Sequence, residues 1–238
     1  MSESIQPGTL YVVSTPIGNL DDVSFRAVKI LAGVDLVAAE DTRKTGILLN
    51  HLSLKKPLIS YHSYNEGRRV SALMRELAAG KSVAVVTDAG TPGVSDPAYS
   101  VIREAIRNHV HVVPIPGATA FLPALIKSGM PMDRFVFEGF LPAKKGRVKR
   151  LQQLKDDPRT IILYEAPHRI VRTLGDVLQY IGDRDVALVR EITKKFEEAL
   201  RGKASEVLEG LRSRKIQGEL VLVVQGCGRL EKQNRMSK

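Results

Sequence analysis

One short stretch, VAVVTDAGTPGVSDP at positions 83–97, constrains the fold of this chain more than any other part of its sequence. It begins with Val83–Val86, a run of small and β-branched apolar residues that predicts a buried strand and is too short for a helix. A loop with paired glycines, prolines and aspartates follows, and after Pro97 the pattern AYSVIREAIRN predicts an amphipathic helix. Because an ordinary connection takes about two to six residues, we interpret this longer loop as a ligand site at the carboxyl end of a strand. An ordinary turn is the alternative.

The composition indicates a globular protein with a polyanionic partner. Contents of 43% hydrophobic and 26% charged residues are typical of a chain of one or two folded domains. No apolar run approaches the roughly 20 residues that span a bilayer, and the N-terminus lacks a secretory pattern, so we expect a cytoplasmic protein that does not bind membranes. The formal net charge of +10 favours nucleic acid, bound mainly through its phosphates because only 5% of the residues are aromatic. The single cysteine and the lack of clustered ligand residues predict neither a disulfide nor a metal site.

Strands and helices alternate along most of the chain. In the first half the patterns predict a strand at Leu10–Ser14, a helix capped by Ser24, a strand ending at Asp41 and a helix directly after it. Together with the central stretch and a strand before the turn at Pro116, they predict an α/β unit of five strands. After SGMPMD a second unit begins near Met132, with further strands and helices and with two strands around a basic turn.

Eight motifs in register resemble the ribosomal RNA small subunit methyltransferase I family, whose members have the tetrapyrrole methylase fold. The motifs, which run from about Leu10 to Val224, are STPIGNLDD, AAEDTRKT, TDAGTPGVSDP, PGATA, EGFLP, YEAPHR, REITKKFEE and GELVLVV. The resemblance implies a two-domain α/β fold of the class III methyltransferase type with S-adenosylmethionine in a cleft between the domains. On this basis we place the N-terminal domain at 1–117, the C-terminal domain at 118–226 and a disordered tail at 227–238.

The same resemblance implies an activity and its partners. The expected reaction is 2'-O-methylation of a cytidine in the decoding region of 16S ribosomal RNA, on the assembled small ribosomal subunit and by a homodimer. Two alternatives stay open. A small-molecule tetrapyrrole methylase would also suit a basic cleft, because porphyrin precursors carry many carboxylates. A non-catalytic RNA-binding assembly factor is the other.

The resemblance also assigns the cofactor-binding residues. Gly90, Thr91 and Pro92 stand where tetrapyrrole methylases carry Gly-Asp-Pro, so that a neutral hydroxyl replaces a carboxylate at Thr91. We expect Asp88 to supply the missing charge. The residues implied to contact the cofactor are Pro16, Asp88, Gly90, Thr91, Pro92, Val94, Ala118, Thr119, Ala120 and Tyr164. For Thr119 the alternative is capping of the helix that follows.

Methyl transfer to a ribose hydroxyl requires alignment of the reacting atoms and a group that accepts the proton. Acidic and basic side chains after predicted strands are candidates, and Glu40, His62 and His168 lie near them in the sequence. The catalytic candidates are Asp41, Lys44, Glu66 and Glu165. A structural ion pair is the alternative for each.

Basic residues recur in loops beside predicted strand ends, where they favour a surface that follows RNA phosphates. A solvated face is the alternative for any single run. The candidates for RNA binding are Arg68, Arg69, Lys144, Lys145, Arg147, Lys149, Arg150 and Arg169, with Lys194 and Lys195 in support.

Overall fold

The computed structural model describes residues 4–61, 66–96 and 98–228, with the backbone only of Glu66 and Arg68. Contacts between Cα atoms divide the chain into two compact units, Met1–Thr119 and Ala120–Lys238. The division falls two residues after the predicted limit at 117. The helix that follows Ala120 therefore belongs to the second unit, where it packs against four strands of the second sheet.

The first unit is a parallel α/β sheet with helices on both faces. Its strands pair in the order β3-β2-β4-β1-β5, and every pairing is parallel. Its elements are β1 (Thr9–Val13), a short 3-10 helix (Leu20–Asp22), α1 (Phe25–Gly33), β2 (Leu36–Ala39), α2 (Thr42–His51), β3 (Leu58–Ser60), α3 (Glu66–Ala78), β4 (Val83–Val86), α4 (Ala98–Arg107) and β5 (His111–Ile115). The predicted unit of five strands is confirmed.

The central strands β2 and β4 are apolar along their whole length because both faces of the sheet are covered there. In β1, Tyr11 and Val13 pack into one core with α1 residues, while Leu10 and Val12 pack into a second core with residues of α3 and α4. Sheets covered on both faces leave only the strand ends open to solvent. Polar side chains that follow these strands therefore gather at one edge, which is where a ligand can bind.

Two helices begin where the sequence predicts, the first with its predicted cap at Ser24. The Ser24 hydroxyl accepts a hydrogen bond from the Ala27 N–H at 3.1 Å, and Asp41 Oδ1 accepts one from the Arg43 N–H at 2.9 Å. Each side chain satisfies an N–H group of the first helical turn that has no partner within the helix. The cap on Asp41 also fixes the position of this carboxylate at the end of β2.

The second unit is a mixed sheet with helices α5 to α8. Strand β6 runs parallel to β7, and the remaining neighbours in the order β6-β7-β10-β8-β9 are antiparallel. Its elements are α5 (Phe121–Ser128), β6 (Phe135–Phe140), α6 (Arg147–Leu154), β7 (Thr160–Glu165), α7 (Ile170–Tyr180), β8 (Asp185–Arg190), β9 (Glu198–Lys203), α8 (Ala204–Arg212) and β10 (Leu220–Val224). The two strands predicted around a basic turn are the antiparallel pair β8 and β9. In the described part of both units no helix is long and apolar enough to cross a membrane.

The predicted disordered tail begins too early in the sequence. Cys227 is buried, with 4% of its surface exposed, and its N–H donates a hydrogen bond to the Asp157 carbonyl at 2.7 Å. Residues 227 and 228 therefore belong to the folded second unit. The rest of the predicted tail, 229–238, lies outside the described residues.

Candidate functional site

Three loops meet at the carboxyl edge of the first sheet, after β1, β4 and β5. Thr15 and Gly90 exchange two backbone hydrogen bonds of 2.9 and 3.0 Å. The Ser14 and Thr91 hydroxyls are 3.0 Å apart, and Thr91 also donates to the Ala118 carbonyl at 3.2 Å. The motifs STPIGNLDD, TDAGTPGVSDP and PGATA, which lie far apart in the sequence, thus form one site. Ser14 was missed in the sequence, although a polar residue directly after an apolar strand was a usable signal.

Glycine is required where these loops approach most closely. A Cβ atom on Gly117 would lie 2.7 Å from Ser14 Cβ, a distance that real contacts do not reach. Gly90 has a φ of +89°, a left-handed conformation that glycine adopts without strain. The backbones of the three loops can therefore lie against one another and against a ligand, as the central stretch predicts.

The cofactor candidates of the first unit fall into two groups. Pro16, Gly90 and Pro92 are buried and shape the loops, whereas the partly exposed residues are Asp88, Thr91, Val94, Ala118 and Thr119. Ala120 and Tyr164 belong to the second unit. The alternative role for Thr119 is wrong, because α5 begins after Ala120 without a side-chain cap.

Carboxylates join the ends of β2 and β4. Asp88 Oδ1 accepts a hydrogen bond from the Asp41 N–H at 2.9 Å, and Asp88 Oδ2 pairs with Lys44 Nζ at 2.7 Å. Glu40 Oε2 accepts from the Thr87 hydroxyl at 2.7 Å. Both oxygens of Asp88 are thus engaged by residues 41 and 44, while Thr91 bonds to the loops after β1 and β5. This separation argues against Asp88 as the substitute for the carboxylate missing at position 91.

The surroundings of Asp41 and Lys44 make both poor proton acceptors. Side-chain and backbone hydrogen bonds from Arg43 hold the pKa of Asp41 far below its usual value of 3.8. The hydrogen bond to Asp88 raises the pKa of Lys44 above its usual 10.5. A carboxylate with a lowered pKa is a weaker base, and a lysine with a raised pKa stays protonated at neutral pH. Lys44 therefore contributes a fixed positive charge to the site.

For the methyl transfer that the resemblance implies, we expect Lys44→Arg to leave the shape of the pH–rate profile unchanged between about pH 6 and 9, because the raised pKa keeps Lys44 charged throughout that range. Lys44→Met should lower the rate at every pH in that range, since the positive charge beside Asp88 is lost. The profiles of the three proteins are measured with saturating donor. A rising limb that disappears in Lys44→Arg would mean that Lys44 acts as the base.

Glu165 is not accessible to a substrate. Only 3% of its surface is exposed, and its carboxylate accepts hydrogen bonds from the Ala166 N–H at 2.8 Å and the Thr173 hydroxyl at 2.5 Å. Arg169 Nε lies 3.1 Å from Glu165 Oε1. The prediction that Glu165 is a catalytic residue is therefore wrong, and the alternative of a structural ion pair holds for this residue.

The prediction that Arg147 binds RNA is also wrong. Its side chain is only 2% exposed, and it donates to Asp176 Oδ2 at 2.7 Å, to the Thr173 hydroxyl at 2.7 Å and to the Pro142 carbonyl at 3.3 Å. A usable signal was present in the sequence. Arg147, Leu151 and Leu154 recur at helical spacing and form the buried stripe of α6.

The other candidates differ in how freely their charge faces solvent. Lys144, Lys145 and Lys149 are exposed, whereas Arg150 makes two bonds to Glu138, of 2.5 and 2.7 Å. Lys194 bonds to Glu191 and Glu219 at 3.0 Å each. Arg69 is partly buried on α3, and His168 is exposed. His62 and the side chains of Glu66 and Arg68 lie outside the described residues.

The fold and the site together define a class: a two-unit α/β protein whose first, parallel sheet carries a backbone-lined ligand site at its carboxyl edge. The pattern of the family described as tetrapyrrole (corrin/porphyrin) methylases matches residues 9–208. The chain belongs to this family, in the group whose curated members are called ribosomal RNA small subunit methyltransferase I.

Two of those relatives show how much of the chain is shared. The protein of this name from Halalkalibacterium halodurans is 47% identical over 222 residues, which are 93% of this chain and 77% of the relative. That from Thermotoga maritima is 45% identical and covers 92% of this chain and 99% of the relative. The resemblance found from eight motifs is therefore confirmed along nearly the whole chain.

Solved structures confirm the fold class at lower identity. A cobalt precorrin-4 methyltransferase from cobalamin biosynthesis superposes with a TM-score of 0.69 at 17% identity, covering 92% of this chain and 95% of the other. A uroporphyrin-III C-methyltransferase from Thermus thermophilus, solved with S-adenosyl homocysteine, superposes with a TM-score of 0.66 at 20% identity over 91% and 97% of the two chains. At these identities the likeness establishes the tetrapyrrole methylase fold.

Proposed function

We propose that this chain is an S-adenosylmethionine-dependent ribosomal RNA methyltransferase that methylates the 2'-hydroxyl of a cytidine in the decoding region of 16S ribosomal RNA. The observation that carries the proposal is the identity of 45 to 48% over at least 92% of the chain with relatives of that name. We further propose that it acts as a homodimer on the assembled small subunit. Such a substrate places it in the cytoplasm.

The residues at the carboxyl edge of the first sheet suit this cofactor. Thr91, Val94, Ala118 and Thr119 present small, partly exposed side chains, and the glycine at position 117 keeps the backbone open to close approach. A donor held through main-chain atoms would fit such a surface. Lys44 and Asp88, which pair at 2.7 Å after β2 and β4 at the same edge of the sheet, would bind polar groups of the donor. When bound, S-adenosylmethionine supplies a methyl group activated by a positively charged sulfur.

The work of the protein in this reaction is positioning. In-line displacement breaks the bond from sulfur to the methyl carbon as the bond to oxygen forms, so the donor sulfur, the methyl carbon and the acceptor oxygen must be held nearly collinear. Interlocked loops hold such a geometry better than loops that move separately. The hydrogen bonds among Ser14, Thr91 and Ala118 fix the loops on the donor side. Among the four catalytic candidates, Asp41 and Lys44 are disfavoured as bases and Glu165 is buried, so Glu66 alone stays a candidate for the proton acceptor.

The proposal is tested by mass spectrometry of 16S ribosomal RNA from cells that lack this protein. We expect the loss of one ribose methyl on a cytidine in the decoding region, and its return when the gene is restored. In a matched assay the purified protein receives labelled donor with either small subunits or a porphyrin precursor. Transfer to the porphyrin precursor alone would overturn the proposal, and failure to bind donor at all would favour a non-catalytic assembly factor.

Charge reversal at Lys144 and Lys145 should weaken substrate binding at least about 10-fold at 0.15 M salt, because contacts to phosphates supply much of the affinity of such proteins. The affinity for S-adenosylmethionine, measured by calorimetry, should not change, since both lysines are exposed and neither is among the residues expected to contact the donor. Equal losses of donor affinity and substrate affinity would show that the donor site and the surface around Lys144 and Lys145 are not separate.

A further inference from the structure

An aromatic side chain is exposed at the end of β6 in the second unit. Phe140 has 53% of its surface exposed, and its ring packs on one side against Tyr164, with ring centroids 5.7 Å apart. The packing holds the ring in place while leaving much of it open to solvent. Exposed, fixed aromatic rings stack well against the flat bases of single-stranded nucleic acids.

A cavity of about 400 Å³ opens beside this ring. Its lining includes Phe140, Pro142, Gly146, Lys149 and Arg150. The volume falls within the roughly 300 to 1,000 Å³ typical of small-ligand sites, so that one nucleotide can occupy it. The cavity thus combines an apolar face with cationic groups at one place on the surface.

The charge of the cavity is positive on balance. Glu138, whose side chain is 4% exposed, is neutralised by its two bonds to Arg150. Lys149 and the neighbouring Lys144 and Lys145 are exposed and form no ion pair within residues 4–61, 66–96 and 98–228. Positive charge without a partner inside the protein favours an anionic ligand such as a phosphate.

Three arginines hold the loop that connects this cavity to the two lysines. Arg169 donates to the Leu141 carbonyl at 2.7 Å, Arg147 to the Pro142 carbonyl at 3.3 Å, and Arg172 to the Ala143 carbonyl at 3.4 Å. Three successive carbonyl groups are thus held by arginine side chains of α6, of α7 and of the residue directly before α7. Because the backbone of this loop is already held before a ligand binds, little backbone conformational entropy is lost when Lys144 and Lys145 contact that ligand.

We infer that Phe140 and the adjacent cavity bind one nucleotide of the single-stranded ribosomal RNA substrate, with its base stacked on Phe140 and the flanking phosphates contacted by Lys144, Lys145 and Lys149. The inference rests on the proposed function and adds to it the mode of substrate recognition. Arg147, Arg169 and Arg172 act as positioning residues for the loop. A bare phosphate site would need the lysines but not the exposed aromatic ring, and for this reason the ring decides the nature of the ligand.

The test compares Phe140→Leu with the wild-type protein in binding to small subunits isolated from cells that lack the protein. Leucine keeps the contact with Tyr164 but cannot stack, so we expect affinity to fall roughly 5- to 100-fold, as for the loss of one stacked base. The salt dependence of binding should stay unchanged. Phe140→Trp should retain the wild-type affinity.

A second variant tests the phosphate contact. Lys149→Gln should reduce the magnitude of the slope of log K against log salt concentration by about 0.7, the value for one phosphate of a single strand.

Controls separate this inference from the proposed function. Val148→Ala removes a neighbouring apolar side chain, 42% exposed and not part of the cavity lining, and should bind as the wild type does. Donor affinity and thermal unfolding of Phe140→Leu should match the wild type. Wild-type affinity in Phe140→Leu, with normal methyl transfer, would overturn the stacking inference alone. Absence of methyl transfer to the subunits by the wild-type protein would overturn the proposed function instead.

Discussion

Replacing Gly117 with alanine is expected to lower kcat/KM for methyl transfer about 100-fold, because a displacement of about 1 Å at a site that positions reactants costs that much. The added Cβ would lie 2.7 Å from Ser14 Cβ and 3.4 Å from the Ser14 carbonyl oxygen. Neither contact can relax through a flexible side chain, so the loops after β1 and β5 must move apart. The hydrogen bond from Thr91 to the Ala118 carbonyl, one residue further on, would be disturbed with them.

The measurements for Gly117→Ala are calorimetry with S-adenosylmethionine and the initial rate of transfer to small subunits. The matched control is Gly46→Ala in α2 of the same unit, where an added Cβ meets nothing within 4 Å. That control should keep its activity and gain about 0.5 to 1 kcal/mol of stability, as alanine does over glycine within helices. Wild-type donor affinity in folded Gly117→Ala would show that the close approach of these loops does not shape the site.

Replacing Arg147 with methionine should lower the free energy of unfolding by about 3 kcal/mol, the lower part of the range for breaking a buried ion pair. The change removes hydrogen-bond donors from Asp176 and Thr173, and Thr173 in turn donates to the buried Glu165. We choose the lower value because 19% of the Asp176 side chain is exposed and water can replace part of what is lost. Methionine fills similar space, which keeps the effect of a cavity small.

Urea unfolding measures this change, with Lys149→Met as the control on the same helix. Lys149 is exposed, so its substitution should alter the free energy of unfolding by no more than about 0.5 kcal/mol. Equal effects of the two substitutions would show that the network of Arg147, Asp176, Thr173 and Glu165 does not stabilise the second unit.

The architecture of both units follows from patterns within short windows of sequence. Runs of apolar residues predict the strands, and capping residues such as Ser24 and Asp41 mark where helices begin. The order of the motifs, from about Leu10 to Val224, was enough to predict the family. The strand and capping patterns are local, because each depends on residues within one or two turns of chain.

Two of the wrong predictions concern charged side chains that other side chains enclose. Arg147 meets Asp176 across 29 positions, whereas Glu165 is enclosed by Arg169 and Thr173, which follow it closely in the sequence. A basic run such as KKGRVKR shows how much charge is present but not which side chain turns inward. For Arg147 the helical period carries that information, whereas the burial of Glu165 depends on how α6 and α7 pack, which no single segment specifies.

The first strand to be made, β1, lies in the interior of its sheet between β4 and β5. During synthesis on the ribosome, both edges of β1 can therefore be paired only after Ile115 has emerged. Long-range parallel pairing of this kind is slow to form and leaves unpaired edges exposed to aggregation in the meantime. Until then the apolar strand Thr9–Val13 keeps an unpaired edge, which is the kind of surface that chaperones bind.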